Sequence, residues 1–152
     1  MLLKDKLADF QTLPSTANNQ NNEVTAAKVQ LGHVLYFDNR VSKDGYISCN
    51  SRHNLSTFGV DNLPTSPGNA CKNGDRNSPT VLNDALHTVK FLDGRAADVE
   101  QQAGMPILNP VEMAIPNEKF LIDRLSQIEM YKSLFKNAYP NDVNPITYEK
   151  SA

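Results

Sequence analysis

Two residues in the stretch "ISCNSRHNLST" could do chemistry together: Cys49 and His53, four positions apart. On one helical turn that spacing sends both side chains to the same face. The pattern is close to C-x-x-C-H, in which two thiols form thioethers with the vinyl groups of a haem and the following His takes the iron. Here Arg52 holds the place of the second cysteine. Taken alone the half-motif is weak, because Cys and His fall four apart by chance, and a buried Cys beside a surface His reads equally well. The same residue types allow zinc: Cys49, His53, Cys71 and His87 are ligands for a tetrahedral ion, although their spacing matches no compact finger. A Cys49–Cys71 disulfide is a third use, closing a loop of about 20 residues worth roughly 3 kcal/mol in the chain-entropy model.

The elements that must position these residues read as short helices. The 152 residues fit one domain with one core. Residues 2–10 suggest a short helix, and 14–23 a polar linker, so the division expected is 1–24 and then a single domain over 25–150. From Thr25, "TAAKVQLGHVLYF" places Ala27, Leu31, Val34 and Leu35 at helical spacing. A turn-rich exit runs from Asp38 to Gly45. Residues 56–79 contain Gly59, Pro64, Pro67, Gly68, Gly74 and Pro79 with little apolar periodicity, which predicts a long irregular loop wrapping a functional pocket. "PTVLNDAL" suits a helix with Pro79 in its first turn, and "DVEQQA" another. "NEKFLIDRLSQI" is capped by Asn117 and carries Leu121, Leu125 and Ile128 as a stripe. Tyr131, Leu134, Phe135 and Ala138 define a last helix before Pro140. Strand alternation is nearly absent, so the fold class is all-α, with much irregular chain that a large cofactor would organise.

Composition narrows the partners. Charged residues make up 21% and the net charge is -2, which excludes a basic field for nucleic acid. No apolar run is long enough to span a membrane. "MLLKDKLADF" lacks the apolar core of a signal peptide, so the chain is either made without one or is a mature form. Two cysteines are too few for a disulfide scaffold.

From residue 25 to about 148 the chain resembles the N-terminal, peroxidatic haem domain of the bacterial dihaem cytochrome c peroxidases. The pieces that carry this are "LGHVLYFDNRVSKDGYISCNSRHNLSTFGVDNLPTS", "RNSPTVLNDALH", "FLDGRAADVEQQAG" and "PILNPVEM", in the family's order and spacing. The resemblance implies a c-type cytochrome fold of short helices around haem. Cys49 then matches the first thioether cysteine and His53 the proximal iron ligand, with haem c tethered once at most, or absent. Glu112 matches the acid/base glutamate over the distal face, where a carboxylate takes a proton from one peroxide oxygen and returns it to the leaving one. An exposed loop carboxylate is the plainer reading of the same residue. Asn77 matches a contribution to an interdomain calcium site, or caps a turn before Pro79. Asn69 falls where many members carry a distal His on a mobile loop. Leu92 replaces a Trp proposed to lie on the electron route. Cys71 stands where an aromatic or small residue is usual.

Other side chains have simpler readings. Arg52 is a solvated surface residue or, near haem, a partner for a propionate. His33 is a surface residue and His87 structural. Met105 and Met113 are soft iron ligands in principle, with core packing preferred.

The resemblance further implies hydrogen peroxide as substrate, a small cytochrome or cupredoxin as electron donor, and a periplasmic location. A second haem domain is absent from this chain, which leaves such a domain, or a homodimer, as the partner. Alone the chain is expected to turn over poorly. The alternatives are a haem-free relative kept for binding or assembly, and a zinc- or disulfide-stabilised structural domain.

Overall fold

A computed structural model describes residues 12–17 and 19–152; the helix expected over 2–10 lies outside them. Five α-helices follow in order among the described residues: α1 (Ala26–Phe37), α2 (Cys49–Arg52), α3 (Val99–Leu108), α4 (Glu118–Ser126) and α5 (Glu129–Ala138). No strand forms there. Two isolated bridges, Pro67 with Asn73 and Lys90 with Ala96, are the only β-type pairings among those residues. The all-α expectation holds.

The helices begin where their caps allow. Thr25 accepts a hydrogen bond from the Lys28 amide at 3.2 Å, satisfying an amide with no partner inside α1. Asp98 does the same for Gln101 at the start of α3, and Asn117 for Phe120 at the start of α4. Helix α1 packs on α5 and on α2, and α4 packs on α5. Leu31 and Leu35 of α1 meet Tyr131, Leu134, Phe135 and Ala138 of α5 in one core with Leu121, Leu125, Ile107 and Ile115. Each large side chain fully buried there stabilises the fold by about 1.5–3 kcal/mol, and Leu125→Ala would cost about 2–5 kcal/mol.

Arg124 on α4 fixes the exit from α1. Its guanidinium donates to the carbonyls of Arg40, Ser42 and Lys43 at 2.6–2.9 Å. At the other end of the chain, Asn19 and Asn22 both donate to Glu100 in the first turn of α3.

Three expectations shift. Residues 79–86 form no α-helix, only a short 3₁₀ turn at Asp84–Leu86. Thr80 turns its hydroxyl to the Phe58 carbonyl and accepts from the Leu82 amide, and Asn83 takes φ 59°, so helical continuity is lost. Helix α3 runs further than "DVEQQA" suggests, through Pro106 to Leu108. Helix α4 stops at Ser126, and Ile128 instead precedes α5, partly buried against the core. The segment 56–79 is irregular as expected, broken by a 3₁₀ turn at Asn69–Cys71.

Candidate functional site

Helix α2 is a single turn, entered through a capping box in which Ser51 Oγ accepts from the Ser48 amide at 3.0 Å. The turn ends at His53, whose backbone leaves helical geometry at φ -112°, ψ 60°. Cys49 stays inside the helix and packs against the hydrophobic core. His53 and Arg52 instead line a cavity of about 490 Å³, and Cys49 does not. Of the two motif residues, the cavity wall therefore includes His53 and not Cys49.

His53 is oriented on both sides. Its Nδ1 lies 3.1 Å from the Pro79 carbonyl, and its own carbonyl accepts from Tyr36 at 2.5 Å. A carbonyl can only accept, so Nδ1 carries the proton and the Nε2 lone pair is left for a ligand. Burial pushes His53 below the usual imidazole range, against the opposing pull of the Pro79 hydrogen bond. The neutral ring is the form that binds a metal.

Glu112 faces the same cavity from the loop after α3. That loop is built by its own backbone. The Glu112 amide donates to the Asn109 carbonyl at 3.0 Å, Met113 to Pro106, and Ile115 to Ile107, so the free carbonyls at the end of α3 become the scaffold. Asn109 then holds the carboxylate, its Nδ2 donating to Glu112 Oε1 at 3.0 Å. The segment around Gly68 lies directly over this loop. A Cβ at Gly68 would sit 1.9 Å from the Val111 carbonyl oxygen, and the Asn69 amide donates to the Glu112 carbonyl at 2.7 Å.

The remaining Glu112 oxygen is taken. Arg52 Nη1 lies 2.5 Å from Oε2, with 13% of the Arg52 side chain and 19% of the Glu112 side chain exposed. Arg52 is thus not a solvated surface residue, and Glu112 is not an exposed loop carboxylate. Arg52 Nε is buried with no hydrogen-bond partner. Further along the wall, Asp93 sits between Arg76 at 2.9 Å and Arg95 at 2.8 Å, and Arg76 first, then Arg95, pull its carboxyl down to about 2.

The other singled-out residues scatter. Asn69 is buried, donating from its amide group to Asp44 at 2.8 Å, and does not line the cavity. Asn77 lines it and is exposed. Leu92 lines it with 64% exposure. Met113 is core, and Met105 is partly exposed on α3. His33 packs its ring on Phe37, and His87 pairs with Asp84. Both cysteines are free thiols. Among the described residues no three His, Cys, Asp or Glu side chains gather to hold a metal ion, so Cys49, His53, Cys71 and His87 form no zinc site. Asn109 escaped the sequence reading, although an Asn before Pro110 is a known former of side-chain-to-backbone turns; it makes one here, accepting from the Val111 amide.

These residues suit haem as far as ligation goes. His53 offers an imidazole, and Pro79, Phe91, Leu92, Pro106 and Val111 offer apolar wall. The orphaned Arg52 Nε is a donor for an anionic edge.

Short helices joined by long ordered loops, with an imidazole and a carboxylate on one cavity, give the chain a cytochrome-like all-α fold. The chain belongs to the di-haem cytochrome c peroxidase family, whose model matches residues 26–152. It is 44% identical over 118 residues to a cytochrome c551 peroxidase of Nitrosomonas europaea, covering 77% of this chain and 35% of that one. It is 36% identical over 144 residues to the cytochrome c551 peroxidase of Pseudomonas aeruginosa, covering 94% and 41%. The chain therefore spans well under half the length of these relatives. In fold it is similar to a MauG-like protein associated with microbial copper homeostasis, with TM-score 0.80 and 24% identity, covering 91% of this chain and 42% of that one. No helix among the described residues is long and apolar enough to cross a membrane.

Proposed function

We propose that this chain is a haem-binding domain serving hydrogen peroxide reduction, with His53 as axial ligand and Glu112 as proton carrier. The observation that carries the reading is that His53, its Nδ1 held by the Pro79 carbonyl, and Glu112, its Oε1 held by Asn109, face one cavity. Haem, when bound, supplies the iron at which the O–O bond of peroxide is cleaved and the electrons first spent on it. The chain's own residues handle the protons. With Oε1 held by Asn109, Oε2 is the working oxygen of Glu112: it takes a proton from one peroxide oxygen and delivers it to the oxygen that leaves as water. Arg52 occupies Oε2 at rest, so that transfer requires the pair to part.

Resupply of electrons is the weak point. Leu92, a saturated side chain, sits at the cavity wall, and the chain contains no Trp. Electrons from a small cytochrome or cupredoxin, in a periplasmic setting, would have to enter without an indole stepping stone. We accordingly propose little steady-state turnover by this chain alone, and full activity only with a second haem-bearing partner.

The Arg52–Glu112 pair also favours a second reading, a haem-free relative kept for binding or assembly, because it bridges two walls of the cavity. The visible spectrum of freshly purified protein separates the two. A Soret band lost in His53→Ala supports the haem domain. Colourless protein that also fails to take up added hemin leaves the haem-free reading standing.

A further inference from the structure

Three features of the cavity depart from a covalent haem site, and they agree with one another. Cys49, the one thiol near the motif, packs on the core rather than in the cavity wall, and burial pushes it up to about 11. A thioether forms when a thiol adds across a vinyl group, sulfur to one carbon and hydrogen to the other, so the thiol must reach the porphyrin edge. Arg52, in the position of the second thiol, reaches across the cavity to Glu112 at 2.5 Å. Its Nε points into buried space with no acceptor.

The pair joins the two walls that a flat ring facing His53 has to lie between. Arg52 belongs to the α2 wall beside His53, and Glu112 to the loop after α3, which is stitched to the Gly68 segment by the Asn69 amide. The Glu112 wall is held by its own backbone bonds, so parting the Arg52–Glu112 side chains is the smallest change that opens the space between the walls. A guanidinium released from Glu112 still has donors facing the cavity, and the carboxylates of a porphyrin are acceptors of the matching charge.

From this geometry we propose that the cavity takes haem as an exchangeable, non-covalent ligand, admitted by displacement of Arg52 from Glu112 and left untethered by Cys49. The proposal rests on the haem reading above and goes beyond it by fixing the mode of loading and the contact that opposes it. It makes Arg52 a determinant of haem retention: binding must overcome an existing ion pair, and no covalent bond then holds the product.

The test uses the whole chain produced without cytochrome c maturation machinery and titrated with hemin, the Soret band being followed. Parent, Glu112→Gln, Cys49→Ser and His53→Ala are compared, each checked for folding by thermal melting. Glu112→Gln keeps the shape and removes the charge that holds Arg52, so its hemin dissociation constant should fall at least tenfold. Cys49→Ser should match the parent, and all bound haem should pass into acidified butanone. His53→Ala should lose the band. In a second arm, protein co-expressed with the maturation machinery is weighed after denaturation and should show the bare polypeptide mass. A haem adduct that disappears in Cys49→Ser overturns the untethered mode. Unchanged or weaker binding by Glu112→Gln overturns the displacement, while leaving the haem reading intact as long as His53→Ala abolishes binding. Failure of every form to bind hemin overturns both.

Discussion

Tyr131 on α5 donates to Asp38, the residue that ends α1, at 2.6 Å. The same carboxylate accepts from the backbone and side chain of Arg40, so one acid joins the end of α1, the turn after it and the helix packed against it. Burial alone would raise the Asp38 pKa, but the hydrogen bonds from Arg40 and Tyr131 outweigh it and hold the carboxyl below its ordinary 3.8. A group depressed in the folded state stabilises above its unfolded pKa and loses that contribution as pH falls through the folded value. Asp38→Asn should therefore lower stability at pH 7 by about 1–2 kcal/mol, given that hydrogen bonds to charged groups contribute about 1.5–3 kcal/mol and Arg40 is half exposed. On a domain of this size that is about 2–8 °C in Tm. Thermal melts from pH 7 downward should show the gap between parent and variant shrinking below 3.8. A gap that persists undiminished in acid would assign the effect to packing.

Gly68 is required by contact rather than by backbone angle. Its missing side chain makes room for the Val111 carbonyl at a distance, 1.9 Å from an ideal Cβ, that no real pair of atoms tolerates. Gly68→Ala must push the 66–74 segment off the loop that carries Glu112. Overpacking of this kind costs about 1–3 kcal/mol and often more where the neighbour is backbone. The Asn69 amide, bonded to the Glu112 carbonyl, should lose protection from hydrogen exchange by a larger factor than amides of α5. Equal loss everywhere would mean global destabilisation only.

The two thiols should behave differently. Cys71 is exposed, whereas Cys49 packs on the core and burial raises it to about 11. Only the thiolate attacks, and at pH 8 a thiol of that pKa is ionised to about one part in a thousand. Native protein treated with Ellman's reagent at pH 8 should release one equivalent quickly. Cys71→Ser should stay nearly silent until denaturant is added. Rapid release of two equivalents would show that Cys49 reaches solvent.

Much of the scaffold could be read from the chain. Thr25 and Asn117 announce α1 and α4 because a cap and an apolar stripe are local signals, written within a dozen residues. The helix expected at 79–86 failed for a non-local reason: the Thr80 hydroxyl donates to the carbonyl of Phe58, far back in the chain, and Asn83 takes a positive φ. The candidate site divides the same way. His53 and Glu112 were legible as residues, from motif and resemblance. Their pairing partners were not, since Arg52 meets Glu112 only after the α2 turn and the loop beyond α3 have been brought together. That Cys49 packs on the core while His53 lines the cavity likewise depends on the tertiary packing around α2 rather than on the spacing of the motif.

Asn109 and Glu112 give the last prediction, which asks whether the carboxylate does chemistry or only holds the cavity shut. In hemin-loaded protein, mixed in the ferric state with hydrogen peroxide, the first change of the Soret band reports peroxide cleavage without any need for an electron donor. A general acid–base group contributes about 10²–10⁴-fold, so Glu112→Gln should slow that change by at least tenfold even where it binds hemin more tightly than the parent. Opposite movements in one variant separate the roles, since a carboxylate that merely blocked the cavity would give faster reaction on removal. Asn109→Ala leaves the acid in place but frees Oε1, held at 3.0 Å, and should slow the reaction by a smaller factor, because the carboxylate then samples orientations that do not face the cavity. Asn109→Asp, which keeps the turn acceptor for the Val111 amide but places a like charge beside Oε1, should be slower than Asn109→Ala. If Glu112→Gln reacts at the parent rate, Glu112 is a structural partner of Arg52 and the proton carrier lies elsewhere.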